Sequence, residues 1–420
     1  MSRWSPGPHE QSGFNLIELM VAMTISLLMM AAILALFLDV SRTNDEMAKT
    51  NAQIESGRAA IQLIASDLAH GGFWDGYVSE FDDLSSAPCP SQTPCAASAS
   101  ALASIPAAVP APCAAYSTWD PDPASAYKVE LLGIPVQAYD SVPTGCSTVV
   151  TNKKAGTDIL VTRHADTSVT NLAAFNPNVV YFQASSCSAS VYDNWLTKKA
   201  AFVGFDWKKP NSAAAQPVGS CATTGLPADL RKYSSNIYWV RDYSVTPGDG
   251  IPTLMRAEFA GDGLGDGGSD WKVQPLIDGV ENFSVELGVD NLSDSGAAVD
   301  YTTAINWAVH TVNNKQVNDT PTNRGDGVPD GFIRCTTASI CTVNQLVNVV
   351  AVKVYVLVRN SVSSPGYTDS KVYCLGTVNP DGTCPSAKTF TPNAGERIFK
   401  RHLYSTTVRL QNIAMRRETP

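Results

Sequence analysis

Residues 13–40 read GFNLIELMVAMTISLLMMAAILALFLDV, and from Phe14 to Leu38 the only ionisable side chain is Glu18. As a helix this run is long enough to cross a hydrocarbon core of about 30 Å. It is too long for the 7–15-residue core of a cleavable secretory signal, and its polar edge at Asp39 lacks a small-residue cleavage site. An ordinary anchor leaves Glu18 unexplained, because a carboxylate within the bilayer costs at least ~2.5–3.5 kcal/mol unless it is partnered. The segment therefore implies a partner for Glu18.

The helix has no reason to stop at Leu38. After Gly13 no Gly occurs before Gly57, and after the leader no Pro occurs before Pro88. Val40, Met47, Ile54, Ile61 and Leu68 recur every seven residues, with Ile33 in phase. That spacing predicts a narrow apolar stripe running to Gly71-Gly72. Its upper part is expected to face the chain's own sheet and its lower part neighbouring helices. At 1.5 Å per residue the stem from Phe14 to His70 would be roughly 85 Å long.

The remainder is β-rich. IYWVRDYSV and TLMRAEFAG flank Pro247-Gly248-Asp249-Gly250 and predict a hairpin. Phe283, Val285, Leu287 and Val289 alternate, as do Val350, Val352, Val354, Val356 and Val358, with Lys353 and Arg359 on the opposite face. RIFKRHLYSTTVRLQN closes the series. An antiparallel sheet with one face on the helix stripe follows, in the α+β class. Residues 71–235 read as a variable β and loop region, including an Ala/Pro/Ser-rich loop at 85–115 stapled by Cys89, Cys95 and Cys113.

All ten cysteines lie beyond the apolar segment, none forms C-x-x-C, and His is too scarce for a Cys/His zinc site. Disulfides in an oxidising compartment are the expectation, with Cys335–Cys341 and Cys374–Cys384 as local pairs. Net charge of −9 leaves no basic footprint for nucleic acid. Dispersed histidines and the lack of a G-x-S-x-G, H-E-x-x-H, phosphate-loop or dinucleotide fingerprint argue against an enzyme, and no cofactor is implied. The acidic Gly-rich stretches 261–270 and 323–331 suggest hairpin loops more than metal sites. A weak calcium candidate remains in Asp319, Asn323, Asp326 and Asp330.

GFNLIELMVAM closely resembles the class III signal of type IV prepilins: Gly, then Phe, then an apolar run with Glu as the fifth mature residue. Asn15 stands where Thr is commonest, and the leader is less basic than usual. The resemblance implies that prepilin peptidase cuts between Gly13 and Phe14, removing leader 1–13, and methylates the Phe14 amine. Phe14 of a neighbouring subunit would then partner Glu18 and set the axial register. PLIDGVENFSVELGVD, the valine-rich strand and LYSTTVRLQN look like the C-terminal half of PilW-type minor pilins.

This resemblance implies a type IV pilin fold: a transmembrane helix 14–38, an amphipathic continuation 39–70, a β-sheet head at 236–412 and a tail at 413–420. It further implies a single-pass inner-membrane protein with a periplasmic head, later incorporated at the pilus tip. There it would join other minor pilins and the major pilin, nucleate the filament on the inner-membrane assembly platform, support a tip adhesin and contribute to twitching motility and adhesion. Alternatives are a J-type pseudopilin of type II secretion, or an anchored adhesin whose Tyr- and Trp-bearing insertion at 76–235 binds a surface.

Overall fold

The computed structural model describes residues 13, 15–82, 104–120, 125–171, 176, 179–184, 205–208, 229–261, 270–303 and 306–418. A single helix, α1 (Leu16–His70), opens the chain. Strong helix formers fill it, and it ends where Gly72 adopts φ +73° and donates to the Arg163 carbonyl at 3.0 Å. The chain divides into two compact units, one ending at Ala52 and one beginning at Gln53.

In the first unit the large apolar side chains from Leu16 to Val40 are exposed. Within the apolar run the hydroxyls of Thr24 and Ser26 donate to the carbonyls of Val21 and Ala22, both at 2.8 Å. No polar group of those two side chains is left to be satisfied by lipid.

The second unit holds the last turns of α1 and two main sheets. After α2 (Ala126–Gly133), β1 (Val136–Tyr139), β2 (Ile159–Ala165), β3 (Tyr181–Ala184), β4 (Phe205–Lys208), β5 (Arg231–Arg241), β6 (Thr253–Phe259) and β7 (Trp271–Asp278) form one antiparallel sheet. The path runs β1-β2-β5-β3-β4, and β6 joins β5 and β7. The hairpin expected around Pro247–Gly250 is β5–β6, with Trp239 opposite Met255. Its turn is fastened by Asp249, whose carboxylate accepts N–H bonds from Ile251, Val245, Ser244 and Thr246 and is held down to about 2 by them. The expected boundary at 235/236 falls inside β5, because β2 pairs with β5 across it (Thr162 opposite Asn236). The insertion and the head thus share a sheet.

The other main sheet is built from β8 (Val280–Val289), β11 (Gly331–Ile333), β12 (Val349–Arg359) and β15 (Arg401–Arg409) in the order β11-β8-β12-β15. β9 (Trp307–Val312) and β10 (Lys315–Pro321) form a separate hairpin, and α3 (Val343–Val347) precedes β12. Val350, Val352, Val354, Val356 and Val358 are fully buried with Phe283, Val285 and Leu287, and Ala60, Ile64 and Leu68 of α1 lie in the same core.

The opposite face is covered as well. Tyr355 and Leu357 pack with Tyr373 and Leu375, from β13 (Tyr373–Cys374) and its neighbour, and with Phe390 of β14 (Thr389–Phe390). Under this cover Glu281 is bridged by Arg401, which also reaches Asp369 at 3.2 Å. Burial alone would raise Glu286, but Lys388 and Thr377 outweigh it and hold that carboxyl below the usual range. Paired and hydrogen-bonded charges of this kind are the only ones a dry sheet face tolerates.

Candidate functional site

The functional geometry has two parts, the start of α1 and the seat of its last turns in the head. At the start, Gly13 is exposed with open space where a side chain would stand, and Phe14 lies outside the described residues. Glu18 sits in the first turn, its Oε2 accepting the Asn15 N–H at 3.2 Å. A carboxylate there satisfies one of the unpaired donors of the helix terminus and faces its positive end. The helix is long and apolar enough to cross a bilayer.

The seat does not follow the seven-residue stripe. Val40 and Met47 are exposed, Ile54 and Ile61 are half-buried, and only Leu68 of that series is fully buried. The buried line runs instead through Gln53, Gly57, Ala60, Ile64 and Leu68. The reason is geometric: a straight helix drifts about 20° per heptad against a strict seven-residue repeat. Spacings of three and four instead keep successive residues of a straight helix on the one face that meets the sheet.

Each position in that line has a specific task. The Gln53 amide donates to the carbonyls of Val358 (2.8 Å) and Lys400 (2.9 Å). Gly57 admits the Tyr404 ring, since a Cβ there would lie 2.1 Å from its Cε2. Beside Leu68, Asp67 accepts from His164 (3.1 Å), Asn236 (2.9 Å) and Thr162. Burial pushes Asp67 up, but the bond and charge of His164, with Thr162 and Asn236, prevail and hold it below the ordinary carboxylate value. His164 answers in kind: burial disfavours its cation, yet Asp67 keeps it above the ordinary imidazole value.

The helix after β15 lies against the end of α1, where the Asn412 amide donates to the carbonyls of Ala69 (3.3 Å), His70 (3.4 Å) and Gly71 (3.3 Å). In α4 (Gln411–Arg417) the buried Arg417 donates to Asp82 (3.0 Å), Asn348 (2.9 Å), the Val347 carbonyl (2.9 Å) and Asp290 (3.4 Å). Arg416 takes the second oxygen of Asp82 at 2.9 Å.

The structure joins Cys335 to Cys341 and Cys374 to Cys384, and it also joins Cys113 to Cys146. Cys113 is therefore not a staple within the 85–115 loop; Cys89 and Cys95 lie outside the described residues. Three of the four calcium candidates have their own hydrogen-bond partners. Asp330 accepts the N–H groups of Asn291 and Leu292, Asp326 accepts that of Val328, and Asn323 donates to the Thr303 carbonyl. The Asp319 side chain and most of the 261–270 stretch lie outside the described residues. Among the described residues no three His, Cys, Asp or Glu side chains are grouped so as to hold a metal ion.

Sequence reasoning missed Gln53, Gly57, Asp67–His164 and Arg417. The lone glycine in a 55-residue helix was a usable signal for a close contact. A polar Gln or Asp on a helix face carries none until its strand partner is known.

Residues 237–412 match the family described as type IV pilus-assembly protein W, and residues 9–34 match the prokaryotic N-terminal methylation motif. No curated protein and no solved structure matches the chain.

Proposed function

We propose that this type IV pilus-related pilin of the PilW kind is a minor pilin. In this reading α1 holds it in the inner membrane with its head in the periplasm, after which it enters a complex with other minor pilins at the pilus tip. That complex primes assembly of the major pilin and supports a tip adhesin. The observation that carries the reading is the joining, in one chain, of a methylation-motif helix to a W-matching head. The last turns of that helix are part of the head's own core.

Prepilin peptidase cuts after Gly13, and the freed Phe14 amine of one subunit meets Glu18 of the next. In the lone helix Glu18 accepts the Asn15 N–H; a charged amine is a stronger donor and would displace it. The exposed Val40 and Met47 lie on helix surface left for neighbouring stems.

Intact-mass and N-terminal analysis of the mature protein should begin at N-methylated Phe14. An intact leader, or cleavage after Leu38, would end the pilin reading. Deletion should abolish surface pili and twitching; a block in secretion of folded exoproteins with pili intact would instead identify a pseudopilin. Glu18→Val should insert in the membrane yet fail to join the filament, and normal incorporation would remove the register role.

A further inference from the structure

Residues 373–390 cover the second face of the β8–β12–β15 sheet without belonging to it. β13 and β14 share two residue pairs, Tyr373↔Phe390 and Cys374↔Thr389, and the Leu375 N–H adds a bond to the Lys388 carbonyl (2.7 Å). Neither strand pairs with a strand of the sheet beneath. A two-stranded hairpin is marginally stable by itself, so its place depends on what fastens it.

The first fastening is Glu286 of β8. Its buried carboxylate accepts the N–H (3.0 Å) and hydroxyl (2.6 Å) of Thr377 and is paired with Lys388. Lys353 of β12 reaches the Thr377 hydroxyl at 3.1 Å, and Arg334 the Ala387 carbonyl at 3.3 Å. Tyr373, Leu375 and Phe390 pack below on Tyr355, Leu357 and Leu403. The second fastening is Cys374–Cys384, which closes a loop with separation 10 that contains Thr377. It ties the cover to itself and not to the sheet. Its effect is to limit the shapes this segment can take once lifted.

Among the described disulfides this one is the most open to solvent. Cys374 and Cys384 are both half-buried, and every residue from Val378 to Thr383 between them is exposed. Cys335 and Cys341 are 5% and 7% exposed, and Cys146, the partner of Cys113, is at 0%. Thiol–disulfide exchange requires an incoming thiolate to reach a sulfur, so access decides which pair reacts first.

We propose that residues 373–390 form a redox-released cover. A dithiol reduces Cys374–Cys384, the cover lifts from Glu286, and Tyr355, Leu357 and Leu403 are bared while the sheet stays paired. One thiolate of the dithiol attacks a sulfur of the pair, forming a mixed disulfide and releasing the other cysteine. The second thiol then displaces the first cysteine. The reagent ends as a disulfide, oxidised by two electrons, and both cysteines end as thiols. With the bond broken, the lifted segment regains the freedom that a ten-residue loop withholds, a factor on the order of a hundred in favour of opening.

The test treats the full chain in detergent micelles with dithiothreitol in steps, traps thiols with iodoacetamide and maps them by mass spectrometry. Cys374 and Cys384 should be alkylated before Cys113, Cys146, Cys335 and Cys341. At that step hydrogen exchange at Leu375 and Thr377 should quicken by about a hundredfold, while the amides of β8 and β12 keep their protection. Replacing Cys374 and Cys384 together by Ser should give the same fast exchange with no reductant present. Earlier alkylation of either of the other two pairs would overturn the proposal. So would unchanged exchange in the double variant, or exchange that quickens through β8 and β12 alike.

Discussion

Adding one methyl group at Gly57 tests the seat of the stem directly. A Cβ at that position would lie 2.1 Å from Cε2 of Tyr404 and 2.5 Å from its Cδ2 and Cζ. Carbon atoms rest at about 3.5–4.0 Å, so the ring or the helix must give way by more than an ångström. The ring is hemmed in, with the His402 ring at 4.6 Å and the core on its other side. Overpacking of this kind costs about 1–3 kcal/mol. Alanine's better helix propensity returns about 0.8–1.0 kcal/mol, which leaves Gly57→Ala destabilising by about 1 kcal/mol. In a Tyr404→Ser background the obstacle is gone and only the propensity term remains. There the same substitution should stabilise by about 1 kcal/mol. Urea unfolding of the full chain in micelles, followed by tryptophan fluorescence, measures all four members of the cycle. A Gly57→Ala effect of the same sign in both backgrounds would refute the close contact.

The Asp67–His164 pair should make stability depend on pH at both ends. His164, with its pKa raised, contributes fully below about 6.5, and its contribution fades as pH rises through the folded value. Asp67, with its pKa lowered, contributes above about 3.9 and is lost as pH falls through its folded value. Stability of the parent minus that of His164→Gln, followed from pH 4 to 9, should therefore fall on the alkaline side; a flat difference would remove the pair. Arg417→Met leaves the buried Asp290 without its cation and Asp82 with Arg416 alone, and denaturant unfolding should show a loss of about 3–5 kcal/mol. Replacing Cys113 and Cys146 by Ala opens a loop with separation 33, against 6 for Cys335–Cys341. Loop entropy puts the two losses at about 3.7 and about 2.2 kcal/mol, and comparative thermal unfolding should rank them in that order.

What could be read from the sequence was whatever repeats or carries a penalty. Alternating valines in β12 and the turn at Pro247–Gly250 declared their strands because side-chain period and turn chemistry are local. Glu18 declared itself because a charge in an apolar run is costly. The line through Gln53, Gly57 and Ala60 was not legible, since it depends on which strand lies opposite, and a seven-residue count drew the eye to Val40 and Met47. The covered second face of the sheet was hidden for a related reason. Lys353 and Arg359 look like solvent-facing residues until Glu286 and Glu281 are seen buried alongside. Cys113 could not be paired from spacing, because its partner Cys146 lies beyond α2 and β1.

The position of Arg417 bears on the order of events during folding. Its acceptors are spread along the chain, at Asp82, Asp290, Val347 and Asn348, and all wait for a side chain that follows every one of them in sequence. However early the strands around it pair, that knot cannot close before residue 417 has been made. Until then Asp290 is without its cation and Asp82 has Arg416 alone to rely on.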